Sequence, residues 1–167
     1  MLVGLPGAGK TTVGSALARA LECPFVDLDR EIVRHAGQPI AAIFASHGEQ
    51  HFRALEHEAT LRVRETRPSI VAPGGGWVTV PGTVALLRPP ARLTYLKVDP
   101  ATAARRLHRS AHLRPLLVPG PAEALEALLE ARQGAYEQAD WVVDTEVLTR
   151  QQVIERMVAL IRGESSP

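Results

Sequence analysis

One short stretch near the start of the chain limits its fold more than any other. Gly4-Leu-Pro-Gly-Ala-Gly-Lys10-Thr11 fits the pattern G-x-x-x-x-G-K-[ST], and it directly follows the apolar run Met1-Leu2-Val3. Beyond it, Val13, Leu17 and Leu21 recur at i, i+4 and i+8, the spacing of a helix with one buried face. Strand, glycine loop and helix in that order form a phosphate-binding unit. Its glycines let backbone close around a phosphate with no Cβ in the way, while N–H groups and the helix dipole oppose the negative charge. Lys10 reaches the outer phosphates, the Thr11 hydroxyl suits Mg2+, and Gly7, Ala8, Gly9 and Thr12 complete the cradle. A shuffled chain of this composition would carry about 0.001 such matches, so the motif is specific.

A unit of this kind belongs in a parallel sheet. Apolar, β-rich runs at residues 1–3, 25–28, 69–72, 93–98 and 141–143 alternate with helical stretches at 10–21, 29–36, 39–46, 49–65, 81–87, 101–109, 121–138 and 150–162. Thr149 and Gln152 fit a capping box at the head of the last helix. The expected fold class is α/β, a three-layer sandwich around a five-stranded parallel sheet. At 167 residues one domain spanning 1–167 is expected. Residues 110–120 mix hydrophobics, two prolines and the lone Arg114, neither a helix nor a polar turn, and read as a mobile lid.

Composition removes several function classes. Nineteen Lys plus Arg stand against 18 Asp plus Glu, net +1, so no basic excess holds the chain on nucleic acid or an anionic membrane. No apolar run is long enough to span a bilayer, and no export signal is read at the start. The single Cys23 excludes an internal disulfide and agrees with a reducing compartment, so the cytoplasm is the expected location. His47 and His51 have the i, i+4 spacing of a helical metal pair but lack an evident third ligand, and a solvated surface is expected. The guanine-reading N-K-x-D is absent, and the length leaves no room for the subdomains of most motor or transport ATPases. A small-molecule kinase is the economical reading.

The remaining motifs describe an acceptor site. In an open α/β sheet, ligands bind beyond the carboxyl ends of the strands, where Asp27-Leu-Asp29, Gly74-Gly75-Gly76 and the phosphate loop all fall. Exposed glycine N–H groups and arginines from separate helices, Arg53 and Arg132, suit a small hydroxylated acid with a planar carboxylate.

Together with Phe52-Arg53-x-x-Glu56, Arg114-Pro-Leu-Leu117, Arg132-x-x-x-Tyr136 and the phrase from Ile43 to Arg53, these residues make the chain resemble shikimate kinases from end to end. That resemblance implies a P-loop kinase fold of the nucleoside-monophosphate-kinase type, with an acceptor-binding region at about 30–65 and the lid at about 110–120. It implies transfer of the ATP γ-phosphoryl group to the 3-hydroxyl of shikimate, a step of aromatic amino-acid biosynthesis. Mg2+ is the implied cofactor, ATP and shikimate the partners, and a monomer the expected state. Carried over, Asp29 orients or deprotonates the accepting hydroxyl, while Arg53 and Arg132 hold the carboxylate and Gly74, Gly75 and Gly76 line the ring. Glu56, on the same helix face as Arg53, steers it. Asp27 helps place Mg2+ through water, and Arg114 joins Lys10 on the transferring phosphoryl group.

The chain departs from that pattern in two places. Three residues precede the loop where five or six are usual, so residues upstream are expected. Adenine would lie on Arg106, with Arg105 or Arg109 as substitutes, and its opposite face falls on Arg150. The alternatives are another small-molecule kinase, such as gluconate kinase or a nucleoside monophosphate kinase, or a non-catalytic module that senses shikimate or ATP.

Overall fold

The computed structural model describes residues 1–65, 67–110 and 122–164. Arg114 and the expected lid from residue 111 on therefore lie outside the described residues. Strand β1 (Leu2–Val3) leads into the glycine loop and helix α1 (Lys10–Ala20), followed by β2 (Phe25–Asp27), α2 (Leu28–Ala36) and α3 (Ile40–Arg64). Next come β3 (Ile70–Ala72), a 3-10 turn (Trp77–Thr79), α4 (Thr83–Leu87), β4 (Thr94–Lys97), α5 (Pro100–Ser110), α6 (Ala122–Tyr136), β5 (Trp141–Asp144) and α7 (Arg150–Arg162).

The five expected strands are present and every pairing is parallel, but they do not hydrogen-bond as one five-stranded sheet. β1, β4 and β5 form one ladder, with Leu2 opposite Thr94 and Tyr95 opposite Val142, while β2 and β3 form a second, with Val26 opposite Val71. β3 lies beside β1, which gives the spatial order β2-β3-β1-β4-β5. The interruption falls at β1, which is two residues long before Gly4, at φ 147°, turns the chain out of the strand.

Successive β1 side chains enter opposite cores, as period-two alternation requires. Leu2 packs with Leu17 of α1, Leu96 of β4 and Met157 of α7, while Val3 packs with Ile32 of α2, Phe52 of α3 and Trp77. Helices thus cover both faces, the three-layer arrangement expected. Val13 and Leu17 are buried and Leu21 half-buried, so α1 presents the face its spacing indicated. No helix among the described residues is long and apolar enough to cross a membrane.

The two helices expected before and after Gly48 are present, running together as α3 with a kink between them at that glycine. Its φ of 76° and ψ of 177° lie outside helical values, a conformation glycine adopts without a Cβ penalty. The bend makes Glu49 the first residue of the half that carries Arg53 and Glu56.

Candidate active site

All strands being parallel, their carboxyl ends point one way, and the loops leaving them build one crevice. At the end of β1, Gly9 takes a left-handed conformation (φ 92°) and serves as N-cap of α1, which aims the helix N–H groups at the loop it closes. Buried Ala8 anchors the loop through its N–H to the Leu5 carbonyl at 3.1 Å, while Thr12 stays exposed. Lys10 Nζ donates to the carbonyls of Gly4 (2.8 Å) and Leu5 (3.1 Å), holding the ammonium over the loop. Burial pushes its pKa down to about 8, with Arg132 acting in the same direction and Asp29 and Asp27 against it.

At the end of β2, one carboxylate does two jobs. Asp27 Oδ1 accepts from the Arg30 N–H at 3.3 Å as the N-cap of α2, and Oδ2 accepts from the Thr11 hydroxyl at 3.0 Å. Capping therefore falls on Asp27, which leaves Asp29 in the first turn of α2 with its carboxyl turned to the crevice. Burial, then the charges of Asp27 and Glu56, raise the Asp29 pKa to about 6 against the pull of Lys10 and Arg53.

The three glycines after β3 are where the acceptor groups meet. A Cβ on Gly74 would fall 2.6 Å from Asp29 Oδ1, one on Gly75 2.9 Å from Arg132 Nη1, and one on Gly76 3.0 Å from Arg53 Nη2. Absent side chains at three consecutive positions thus make room for an acid and two guanidinium groups. A buried relay fixes this turn on α3: Trp77 Nε1 donates to Thr60 Oγ1 (2.9 Å), whose hydroxyl donates to the Glu56 carbonyl (2.8 Å). Glu56 receives Arg53 Nη1 at 2.8 Å; burial pushes its carboxyl up while that guanidinium pulls it down. Arg132 differs, because its Nη1 is buried with no hydrogen-bond partner among the described residues. One helical turn on, Tyr136 stacks on Tyr95 with ring centroids 4.6 Å apart.

Arg106 lies at the same end of the sheet, donating to Thr145 Oγ1 (2.9 Å) and to the Thr145 carbonyl (2.6 Å) just beyond β5. Arg150, expected on the other face of adenine, opens α7 as an exposed residue, and Thr145 is a hydrogen-bond partner of Arg106 that spacing did not reveal. His47 and His51 are exposed with ring centroids 4.7 Å apart, and the described residues contain no group of three placed to hold a metal. The reading from sequence also missed Glu49, whose Oε1 accepts from Arg53 Nε (3.2 Å) and Nη2 (3.0 Å). Its i, i+4 spacing from Arg53 was the available signal.

The chain is similar to known proteins in sequence and in fold. The family model described as shikimate kinase matches residues 6–162. A shikimate kinase of Cereibacter sphaeroides is 42% identical over 158 residues, 94% of this chain and 79% of that protein. The structure of a shikimate kinase of Acinetobacter baumannii in complex with shikimate superposes with a TM-score of 0.85 at 31% identity, covering 97% of this chain and 91% of the other. A gluconokinase of Sinorhizobium meliloti shares the fold at a TM-score of 0.62 and 20% identity, covering 96% of this chain and 90% of its own. A family model that matches residues 6–162 and a relative 42% identical over 94% of the chain show that the chain belongs to the shikimate kinase family.

Proposed function

We propose that this chain transfers the γ-phosphoryl group of ATP to the 3-hydroxyl of shikimate, giving shikimate 3-phosphate and ADP, as a single kinase domain in the cytoplasm. The observation that carries this reading is the convergence on Gly74, Gly75 and Gly76 of the Asp29 carboxyl and the Arg132 and Arg53 guanidinium groups. A buried guanidinium nitrogen without a partner costs free energy unless an anion meets it, and a substrate carboxylate supplies one.

Held by those two arginines, the acid presents a hydroxyl to Asp29. A carboxyl with a pKa raised to about 6 is ionised at neutral pH, yet is basic enough to accept the hydroxyl proton as the oxygen attacks. The glycine loop and the α1 N-terminus bind the phosphates, and Lys10 exchanges its two carbonyl partners for phosphate oxygens. The paired oxygens of Thr11 and Asp27 suit a hard cation that is held by one or two protein oxygens and the nucleotide phosphates. Mg2+ bound there would neutralise developing charge on the phosphoryl oxygens. Arg114 is assigned to the same charge from the family pattern.

An ADP-release assay with ATP and Mg2+, run on shikimate, quinate, gluconate and AMP, tests this. Turnover is expected with shikimate. Turnover with gluconate or AMP and none with shikimate would overturn the assignment.

A further inference from the structure

Arg53 already holds two carboxylates of its own chain, and the two are not equivalent. Glu56 meets Nη1 with a side chain only 3% exposed, while Glu49 meets Nε and Nη2 with one 66% exposed. A planar carboxylate pairs bidentately with a guanidinium either along the Nε–Nη2 side or across the Nη1–Nη2 end. Both modes need Nη2. Nη1 already donates to a carboxylate that is buried in the core, so the bidentate edge not shared with Glu56 is the Nε–Nη2 side, the edge that Glu49 occupies.

We propose that Glu49 is a displaceable stand-in for the substrate carboxylate, a specificity-determining residue that neutralises Arg53 in the ligand-free enzyme and moves into solvent when the acid arrives. This rests on the functional reading above, which makes Arg53 an anchor for that acid. The fold explains the placement. Gly48 breaks α3, Glu49 begins its second half, and Arg53 follows one turn later, so the contact is local and needs no other element. Because this pair stands in water, it is weak and opens readily, whereas breaking the Glu56 pair would strand a buried charge. An acid also held by Arg132 and Asp29 regains what the lost pair gave. An anion held by nothing else has to compete with Glu49 unaided.

The two carboxylates therefore have opposite expected effects on binding. Glu49→Gln and Glu49→Ala should each tighten shikimate binding, measured by calorimetry without nucleotide, by about two- to fivefold, the range an exposed ion pair supports. Shikimate methyl ester, which brings no charge to Arg53, should gain nothing. Unchanged or weaker shikimate binding in both variants, or an equal gain for the ester, would overturn the proposal, because a supporting role for Glu49 predicts loss. Wild-type protein that binds no shikimate would overturn the functional reading and this one with it. Wild-type binding with no gain in either variant overturns this one alone.

Discussion

A Cβ on Gly74 would stand 2.6 Å from Oδ1 of Asp29 and 3.4 Å from Oε1 of Glu56. The space left by the missing side chain is thus the space the Asp29 carboxyl uses. Gly74 is not among the glycines with positive φ, so alanine fits its backbone and acts only by displacing Asp29. Gly74→Ala should lower kcat by about a hundredfold, the cost of a displacement near 1 Å at a reacting group, with ATP affinity retained. Steady-state kinetics with a nucleotide titration checks this, and a matching loss of ATP affinity would contradict it.

Arg53 and Arg132 should part company in stability while agreeing in binding. Replacing either by alanine should weaken shikimate binding by about 1.5–3 kcal/mol, the usual worth of a charged hydrogen bond, and spare ATP. Arg53→Ala also strands Glu56, whose side chain is 3% exposed, and should cost about 1–3 kcal/mol of folding stability. Arg132→Ala strands no buried carboxylate among the described residues, though it gives up an interaction with the Tyr136 hydroxyl, and should cost less than Arg53→Ala. Urea denaturation beside calorimetry separates the two, and equal stability losses would sink the distinction.

Groups that act at fixed sequence spacing were legible without coordinates. The glycine loop, the Asp27 and Asp29 pair, the triple glycine and the Arg53–Glu56 contact are all local patterns, and the parallel architecture follows from the alternation of strands and helices. What escaped depends on which of two competing partners wins in space. Either aspartate could cap α2, and only the position of Thr11 beside β2 gives Asp27 that job together with its hydroxyl contact. The break between β3 and β1 arises where the chain leaves extended conformation at Gly4. The Trp77–Thr60–Glu56 relay and the Arg106–Thr145 pair join segments 17 and 39 residues apart, where spacing carries no signal.

Asp27 both caps α2 and accepts from Thr11, so its part in the fold can be separated from the metal role proposed for it. Asn at this position keeps an oxygen to cap α2 but loses the charge beside Thr11. Asp27→Asn should keep its melting temperature near that of the wild type, while the Mg2+ concentration for half-maximal activity rises by about 10- to 100-fold, as when an outer-sphere ligand is lost. A melting temperature that falls with no change in Mg2+ requirement would show Asp27 to be only a cap.

Asp29 links activity and stability with opposite signs. Its folded pKa of about 6 lies above the ordinary 3.8, so between those values the folded chain binds more protons than the unfolded one. The stability that the Asp29 proton contributes is therefore fully present below pH 4, is lost as pH rises through 6, and stays absent above. Asn at this position does not titrate. Asp29→Asn should match the wild type in melting temperature near pH 4, pull ahead through the window up to pH 6, and stay ahead by about 1–2 kcal/mol at neutrality, allowing for the exposed part of the carboxyl. Activity runs the other way, because a protonated Asp29 cannot accept the hydroxyl proton. Wild-type kcat/KM should lose its acid side near pH 6, and Asp29→Asn should lower kcat by about 10²- to 10⁴-fold at pH 7. Melting curves across pH 4 to 8 beside the rate profile decide the matter. A variant that is inactive yet no more stable than wild type at pH 7 would mean that the buried charge carries no cost, and the raised pKa would then have to be abandoned.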